Sequence, residues 1–310
     1  MSDAVNFTGV EKRFGGSPAL AGLTLDVRKG EMFGLIGPDG AGKTTAIRLL
    51  CGLLHADAGT VRVFGRDPVR EHAWVTSRVG YLSQRFSLYG DLTIDENIEF
   101  FAEIHGVRNY KARRDALLDM TQLTPFRGRL ADRLSGGMKQ KLALACTLVH
   151  EPELIVLDEP TTGVDPVSRR EFWKLLSEFL ARGITIVMST PYLDEAERCA
   201  RVALLHDGRT LAVDEPARLR RLIGGRIVEV IAPGLADAAG VAKALPGVAD
   251  VQVFGERLHL TLVGETDDAV DAVAREIEQT PLAGASVRAV PPSLEDVFIA
   301  TLARKEQAGV

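Results

Sequence analysis

Eight residues, Gly37-Pro38-Asp39-Gly40-Ala41-Gly42-Lys43-Thr44, constrain this chain more than any other stretch. They fit the pattern GxxxxGK[ST] without a mismatch. A short apolar run, Met32-Phe33-Gly34-Leu35-Ile36, precedes them, and a helix-compatible stretch from Lys43 to Cys51 follows. Between a strand and a helix, such a loop can curl so that successive backbone N–H groups and the helix N-terminus face phosphates. Lys43 then neutralises phosphate charge and the Thr44 hydroxyl can hold Mg2+, with Thr45 beside it. The loop predicts ATP, with Mg2+, as the ligand of residues 37–45.

A second apolar run, Leu154-Ile155-Val156-Leu157, ends in two adjacent carboxylates, Asp158 and Glu159. Ligands of open α/β sheets sit beyond the carboxyl ends of strands. Side chains alternate along a strand, so the two acids should point differently and take different roles. Asp158 suits Mg2+, and Glu159 suits a water that attacks phosphorus.

The remaining pattern is consistent with a mostly parallel sheet. Val5-Asn6-Phe7 and Leu23-Thr24-Leu25-Asp26-Val27 alternate and predict an antiparallel β patch. Helices are expected from about Leu92, with Thr93 and Glu96 spaced as a capping box, and around 111–123 and 168–181. Residues 184–188 read as another buried strand, and His206-Asp207-Gly208-Arg209 as a hairpin turn. After Gly224-Gly225 the pattern becomes strand 227–232, helix 237–245, strands 248–254 and 257–263, helix 267–279 and strand 286–290. That order is βαββαβ, a ferredoxin-like plan, followed by a helix from Leu294 with Ser293 as its N-cap.

Leu134-Ser135-Gly136-Gly137-Met138-Lys139-Gln140 resembles the signature motif of the ABC-type ATPases. In that family the motif follows the phosphate loop and closely precedes the Asp-Glu strand, as it does here. The resemblance covers about residues 5–215. It implies an α/β P-loop ABC-ATPase core over residues 1–223, with an antiparallel β patch and a helical subdomain near 86–150. A small C-terminal α+β domain would occupy 224–310. By the same resemblance, Ser135, Gly136 and Gly137 meet the γ-phosphate of an ATP held by another subunit. Gln84 matches a loop glutamine that touches Mg2+, Phe14 an aromatic stacked on adenine, and Asp165 a loop at the dimer interface. The resemblance further implies a head-to-tail homodimer or heterodimer sandwiching two ATP molecules.

Two positions depart from the family. Pro191, in Ser189-Thr190-Pro191-Tyr192, stands where the family has a histidine that contacts the γ-phosphate. The expectation is that Pro191 opens a helix after a Thr190 cap, with Asp194 and Glu195 in its first turn. Losing one preorganised donor costs roughly 10²–10³ in rate. Asp39 replaces the usual asparagine, placing acidity near phosphates.

Pro292-Ser293-Leu294-Glu295-Asp296-Val297-Phe298 resembles the ending of exporter ATPases that serve ABC-2-type membrane permeases. The implied function is ATP hydrolysis driving export of drugs, lipids or related compounds. Apolar Phe86, Leu88, Tyr89 and Leu92 are candidates for the groove that receives the permease. A catalytically weak regulatory subunit paired with a second ATPase, and a non-transport ABC ATPase, are the alternatives.

A formal charge of −5 with scattered arginine pairs disfavours nucleic acid. Three dispersed cysteines, with no CxxC spacing, suit free thiols in a reducing cytosol. No apolar run approaches the ~20 residues that cross a bilayer, and the N-terminus does not read as a secretory signal. The expected location is the cytoplasmic face of the cell (inner) membrane.

Overall fold

Two long strands, β1 (Asp3–Phe14) and β2 (Ser17–Arg28), open the chain as a hairpin turned at Gly15 and Gly16, both with positive φ. The computed structural model describes residues 3–84, 88–231, 238–263, 267–280 and 282–307, with the side chains of 238, 267 and 305–307 also outside the described set. Strand β3 (Met32–Ile36) runs into the phosphate loop, and α1 (Lys43–Leu50) leaves it. Next come β4 (Ala58–Val63), the short α2 (His72–Thr76) and β5 (Val79–Leu82). Helices α3 (Ile94–Ile104), α4 (Lys111–Thr121) and α5 (Gly136–Leu148) form the helical segment. Strand β6 (Leu154–Asp158), α6 (Pro166–Ala181), β7 (Thr185–Thr190) and the short α7 (Leu193–Ala196) return the chain to the sheet. The hairpin β8 (Arg201–His206) and β9 (Arg209–Asp214) turns through Asp207 and Gly208, both with positive φ.

The sheets follow from the composition of the strands. β3, β6 and β7 are buried at every position, as strands covered on both faces must be. They lie in a six-stranded sheet of order β5-β6-β7-β3-β8-β9, parallel except for β9. The antiparallel patch β2-β1-β4 is longer than the alternating segments suggested. It also includes β4, whose Ala-Gly start carries little strand signal. Helix α1 is anchored by Ile47 and Leu50 in the core shared by the parallel sheet and the patch. Burial of each contributes roughly 1.5–3 kcal/mol, enough to fix the loop that precedes them.

The helical segment agrees with its caps. Thr93 Oγ1 accepts from the Glu96 N–H while a Glu96 carboxylate oxygen accepts from the Thr93 N–H, closing the expected capping box of α3. Asn97, fully buried, donates to the carbonyls of Tyr89 and Leu92 and so ties the connection from β5 to α3. Of the four groove candidates, Phe86 lies outside the described residues. Tyr89 is exposed and its ring meets Phe100 edge-on, 4.5 Å between centroids. Leu88 and Leu92 are half-buried. No described helix is long and apolar enough to cross a membrane.

The chain divides into two compact units at residues 214 and 215. This is earlier than the boundary at 223 and 224 read from Gly224-Gly225, because α8 (Pro216–Arg220) packs with the last helix of the second unit. That unit holds β10 (Ile227–Ile231), α9 (Ala238–Lys243), β11 (Val248–Phe254), β12 (Arg257–Leu262), α10 (Asp267–Ile277), β13 (Ser286–Val290) and α11 (Leu294–Gln307). Its antiparallel sheet has order β11-β12-β10-β13, the strand order of a ferredoxin-like βαββαβ plan. Val228, Val230, Leu258 and Leu260 pack with Ala242, Val273 and Ile277. The alternate residue Glu229 is buried and receives hydrogen bonds from Arg288 (2.6 Å) and Arg257 (3.1 Å), which hold its carboxyl below the usual carboxylate range. Ser293 and Asp296 exchange capping hydrogen bonds at the start of α11, as the sequence predicts.

At the far ends of α3 and α5 the rings of His105 and His150 stack, with centroids 3.8 Å apart. Burial, and then the neighbouring His105, hold His150 at about 4, down from an ordinary 6.5. The unfolded chain therefore takes up this proton at higher pH than the folded chain. Stability from neutral His150 is whole above pH 6.5 and drains away as pH falls toward 4. The apparent Tm of the wild type should fall more steeply over that window than that of His150→Phe, followed by scanning calorimetry in matched buffers. Coincident slopes would refute this burial of neutral imidazole.

Candidate functional site

Helices α3, α5 and α6 have side-chain caps: Thr93, Ser135 and Asp165 each accept from an N–H in the first turn. Helix α1 does not. Its N-cap is Gly42, in the left-handed region at φ 98°, with no side-chain cap and no acid in the first turn. The first N–H groups and the positive end of the helix dipole are thus left for an anion. Space requires glycine at 37, and space together with φ requires it at 42. A Cβ on Gly37 would stand 2.3 Å from the Leu205 carbonyl oxygen, and one on Gly42 would stand 2.6 Å from that of Ala19. A cavity of 430 Å³ opens over the loop, lined by Asp39, Gly40, Ala41, Gly42, Lys43, Thr44, Thr45, Gln84 and Glu159, with Ala19 as a further wall. Ala19 was not expected from the sequence, since an alanine in a strand carries no chemical signal.

Two carboxylates complete the site. Asp158 is buried, and its Oδ1 accepts from the hydroxyls of Thr44 (3.1 Å) and Ser189 (2.7 Å). These are hard oxygen donors of the type that hold Mg2+. Burial first, and then the Asp158 charge, push Tyr81 up to about 12 and the Cys51 thiol upward as well, so both neighbours stay neutral. Glu159, one residue past the end of β6 and with a left-handed backbone at φ 49°, is aimed elsewhere by that turn, not by strand alternation. One of its oxygens pairs with Lys43 Nζ at 3.1 Å and the other accepts from Gln84 Nε2 at 3.0 Å. Lys43 also donates to the carbonyls of Gly37 (2.8 Å) and Pro38 (3.0 Å). At 4% and 8% exposure, Lys43 and Glu159 are a buried pair, and stranding either partner costs roughly 3–5 kcal/mol. A phosphate entering the loop would exchange for Glu159 on Lys43 and leave the carboxylate with Gln84.

A family model described as ABC transporter matches residues 20–162. A daunorubicin resistance ATP-binding protein of Streptomyces coeruleorubidus is 37% identical over 300 residues, covering 96% of this chain and 95% of that protein. The chain belongs to the ABC transporter ATP-binding protein family. The Nod factor export ATP-binding protein I of Burkholderia orbicola is 38% identical, with 98% of each chain covered. The "Probable multidrug ABC transporter ATP-binding protein YbhF" of Escherichia coli is 43% identical over 96% of this chain but only 52% of its own length. The chain thus spans about half the length of YbhF. Among solved structures, the ATP binding subunit of an ABC transporter superposes with a TM-score of 0.65 at 30% identity, covering 71% of this chain and 92% of that one. A dimeric ATP-binding cassette in a post-hydrolysis state, bound to ADP and Pi, gives 0.61 at 26%, covering 68% and 98%.

In this ABC ATP-binding protein the signature residues Ser135, Gly136 and Gly137 do not line the phosphate-loop cavity. Ser135 caps α5, its Oγ accepting from the Met138 N–H at 3.3 Å, so α5 begins at Gly136. Gly137 has a packing reason that the motif conceals: a Cβ there would lie 2.2 Å from Ser168 Oγ and 2.6 Å from its Cβ. Ser168 sits in the first turn of α6, where its side chain and then its N–H, with the N–H of Val167, hydrogen-bond to Asp165 and hold that carboxyl below the usual carboxylate range. Gln140 donates to the Pro160 carbonyl, joining α5 to the segment after Glu159. Phe14 stands at the hairpin end, 49% exposed, under Lys12 Nζ at 5.6 Å and outside the cavity lining.

Pro191 is not the first helical residue. Helix α7 starts at Leu193 with Tyr192 as N-cap, and the Thr190 hydroxyl accepts from the Tyr192 N–H instead of capping the helix. Glu195 lies in the first turn of α7, as expected, and is buried there, accepting from both Thr190 (2.7 Å) and Thr161 (2.6 Å). It thereby clamps the end of β7 to the segment after Glu159. A larger cavity, 730 Å³, lies at the opposite strand ends beside Lys29, Phe64, Met120, Arg182 and Thr185, and is lined by none of residues 37–45.

Gly137→Ala should lower stability by about 1–3 kcal/mol through overpacking against α6, and Ser168→Gly in the same chain should recover most of it. Urea unfolding of the two single variants and the double variant measures the coupling. Additive losses would show that Gly137 and Ser168 do not share this contact.

Proposed function

We propose that the chain binds and hydrolyses ATP as the motor subunit of an ABC-2-type exporter of drugs, lipids or related compounds. One observation carries this reading: Lys43, Thr44, Gln84, Asp158 and Glu159 converge on an uncapped helix N-terminus at the carboxyl end of the parallel sheet. The phosphate loop and Lys43 bind the triphosphate, and Thr44, Asp158 and Gln84 would hold Mg2+, which supplies charge neutralisation between the phosphates when bound. Glu159 orients and polarises the attacking water once Lys43 has turned to the phosphates. Asp39 is a wall of the same cavity.

The dimer belongs to the proposal. The signature start at Ser135 lies outside the cavity of its own chain, so the N–H groups of Gly136 and Gly137 and the Ser135 hydroxyl are assigned to the γ-phosphate of a second ATPase subunit's ATP. Asp165 shapes the adjoining α6 start at that interface. Phe14 keeps its assignment to adenine, supported by its exposure at the hairpin end. Cargo export is supported by the multidrug, daunorubicin resistance and Nod factor export names of the relatives, whereas the ABC-2-type permease partner rests on the resemblance carried by residues 292–298. The cytoplasmic face of the membrane is the corresponding location.

A second reading rests on Pro191, which presents no imidazole where the family resemblance expects one. On that reading the chain turns over slowly and pairs with a second, competent ATPase. Purified protein should release phosphate from ATP, and Glu159→Gln should lower kcat by roughly 10²–10⁴ while retaining ATP binding. Phosphate release no greater than that of Glu159→Gln would favour the second reading. A tagged chain should co-purify from solubilised membranes with a multi-spanning permease, and recovery without one would count against the transporter assignment.

A further inference from the structure

Strand β7 pairs with β6 in parallel so that Ser189 lies opposite Asp158. The Ser189 hydroxyl donates to Asp158 Oδ1 at 2.7 Å and accepts from the Glu159 N–H at 3.0 Å, while the Ser189 carbonyl accepts from the same N–H at 3.2 Å. Ser189 is fully buried. Glu159, a residue with a long side chain, has φ 49°, in the left-handed region that such residues rarely adopt. Strained conformations of this kind persist only when the surroundings over-determine them. Here the only described groups that hold the Glu159 N–H are the two oxygens of Ser189.

We infer that Ser189 is a positioning residue that sets both carboxylates of the site, an inference that rests on the reading of the site as an ATPase centre. Its single hydroxyl does two things at once. By donating to Oδ1 it aims Asp158 at the Thr44 hydroxyl, so the two oxygen ligands proposed for Mg2+ stand 3.1 Å apart. By accepting from the Glu159 N–H it fixes the left-handed turn that sends the Glu159 carboxylate toward Lys43 and Gln84 rather than along the strand. An alanine keeps the β7 backbone and the carbonyl but loses both functions of the hydroxyl. A threonine keeps both, and its extra methyl suits a strand.

The effect should appear in metal-linked binding as well as in turnover. ATP affinity is measured by titration calorimetry in EDTA and in saturating Mg2+, alongside kcat, the KM for ATP and the Mg2+ concentration giving half-maximal rate. Ser189→Ala should leave the affinity in EDTA within about twofold, since the phosphate loop binds without the metal. It should cut the gain in affinity on adding Mg2+ by about tenfold, raise the half-maximal Mg2+ concentration several-fold and lower kcat by roughly 10–10². Ser189→Thr should restore most of both losses. Should the alanine chain fail to fold, Ser189→Cys offers a similar shape with a much weaker hydrogen-bonding group, and the same comparison applies.

Equal losses with and without Mg2+, or a Ser189→Ala chain with wild-type Mg2+ dependence and kcat, would overturn the inference. A wild-type chain that hydrolyses no ATP would sink the functional reading alone. The difference between binding with and without Mg2+ would still decide the role of Ser189.

Discussion

The parallel register of β6, β7 and β3 is the constraint on which the rest of this molecule depends. It pairs Asp158 with Ser189 and Ile36 with Thr190, so three strand ends stop at one level. From those ends leave the phosphate loop, the Asp-Glu pair and the Ser189-Thr190-Pro191 segment. In a parallel ladder the hydrogen bonds are evenly spaced, and a slip by one residue would turn every side chain to the opposite face. Complete burial of β3, β6 and β7 makes that slip costly, and the positions of the chemical groups are fixed as a by-product of core packing.

Around this level the polar groups form two hydrogen-bonded sets, one joining Lys43, Glu159, Ser189, Asp158 and Thr44, the other centred on Glu195. Lys43 links the loop carbonyls to Glu159, Thr44 and Ser189 share Oδ1 of Asp158, and Glu195 joins Thr161 to Thr190. Lys43, Asp158, Glu159, Thr161, Ser189, Thr190 and Glu195 are all buried deeply enough that an unpaired partner would be expensive. Lys43 and Glu159 are the pair best placed for exchange with a charged ligand, because the lysine faces the cavity and phosphate oxygens compete directly with the carboxylate.

The signature segment serves two ends. Ser135 caps α5 and leaves the glycine N–H groups at its start, while Gly137 allows α5 to approach Ser168 of α6. Gln140 fastens the same helix to Pro160, just past Glu159. The face assigned to a second subunit is therefore connected by short contacts to the acid assigned to hydrolysis.

Residues 37–45, Asp158 and Glu159 were legible in the sequence because their chemistry depends on local order: a glycine pattern, a strand and a helix start are written within a few residues of one another. The capping box at Thr93, the cap at Ser293, the turn at Asp207-Gly208 and the βαββαβ order were legible for the same reason. Ser189, Ala19, Glu195 and the packing role of Gly137 were not. Each acts on a residue brought near by the sheet or by helix packing, and a serine in a strand or an acid near a helix start reads the same whether exposed or buried. Proline at 191 likewise suggested a helix start, yet the bond from the Tyr192 N–H to Thr190 placed the helix two residues later. The sequence by itself determined the fold class and the local order of the glycine loop and the Asp-Glu pair. Only the tertiary structure decided what aims the two carboxylates, because aim is a property of contacts between strands that are distant along the chain.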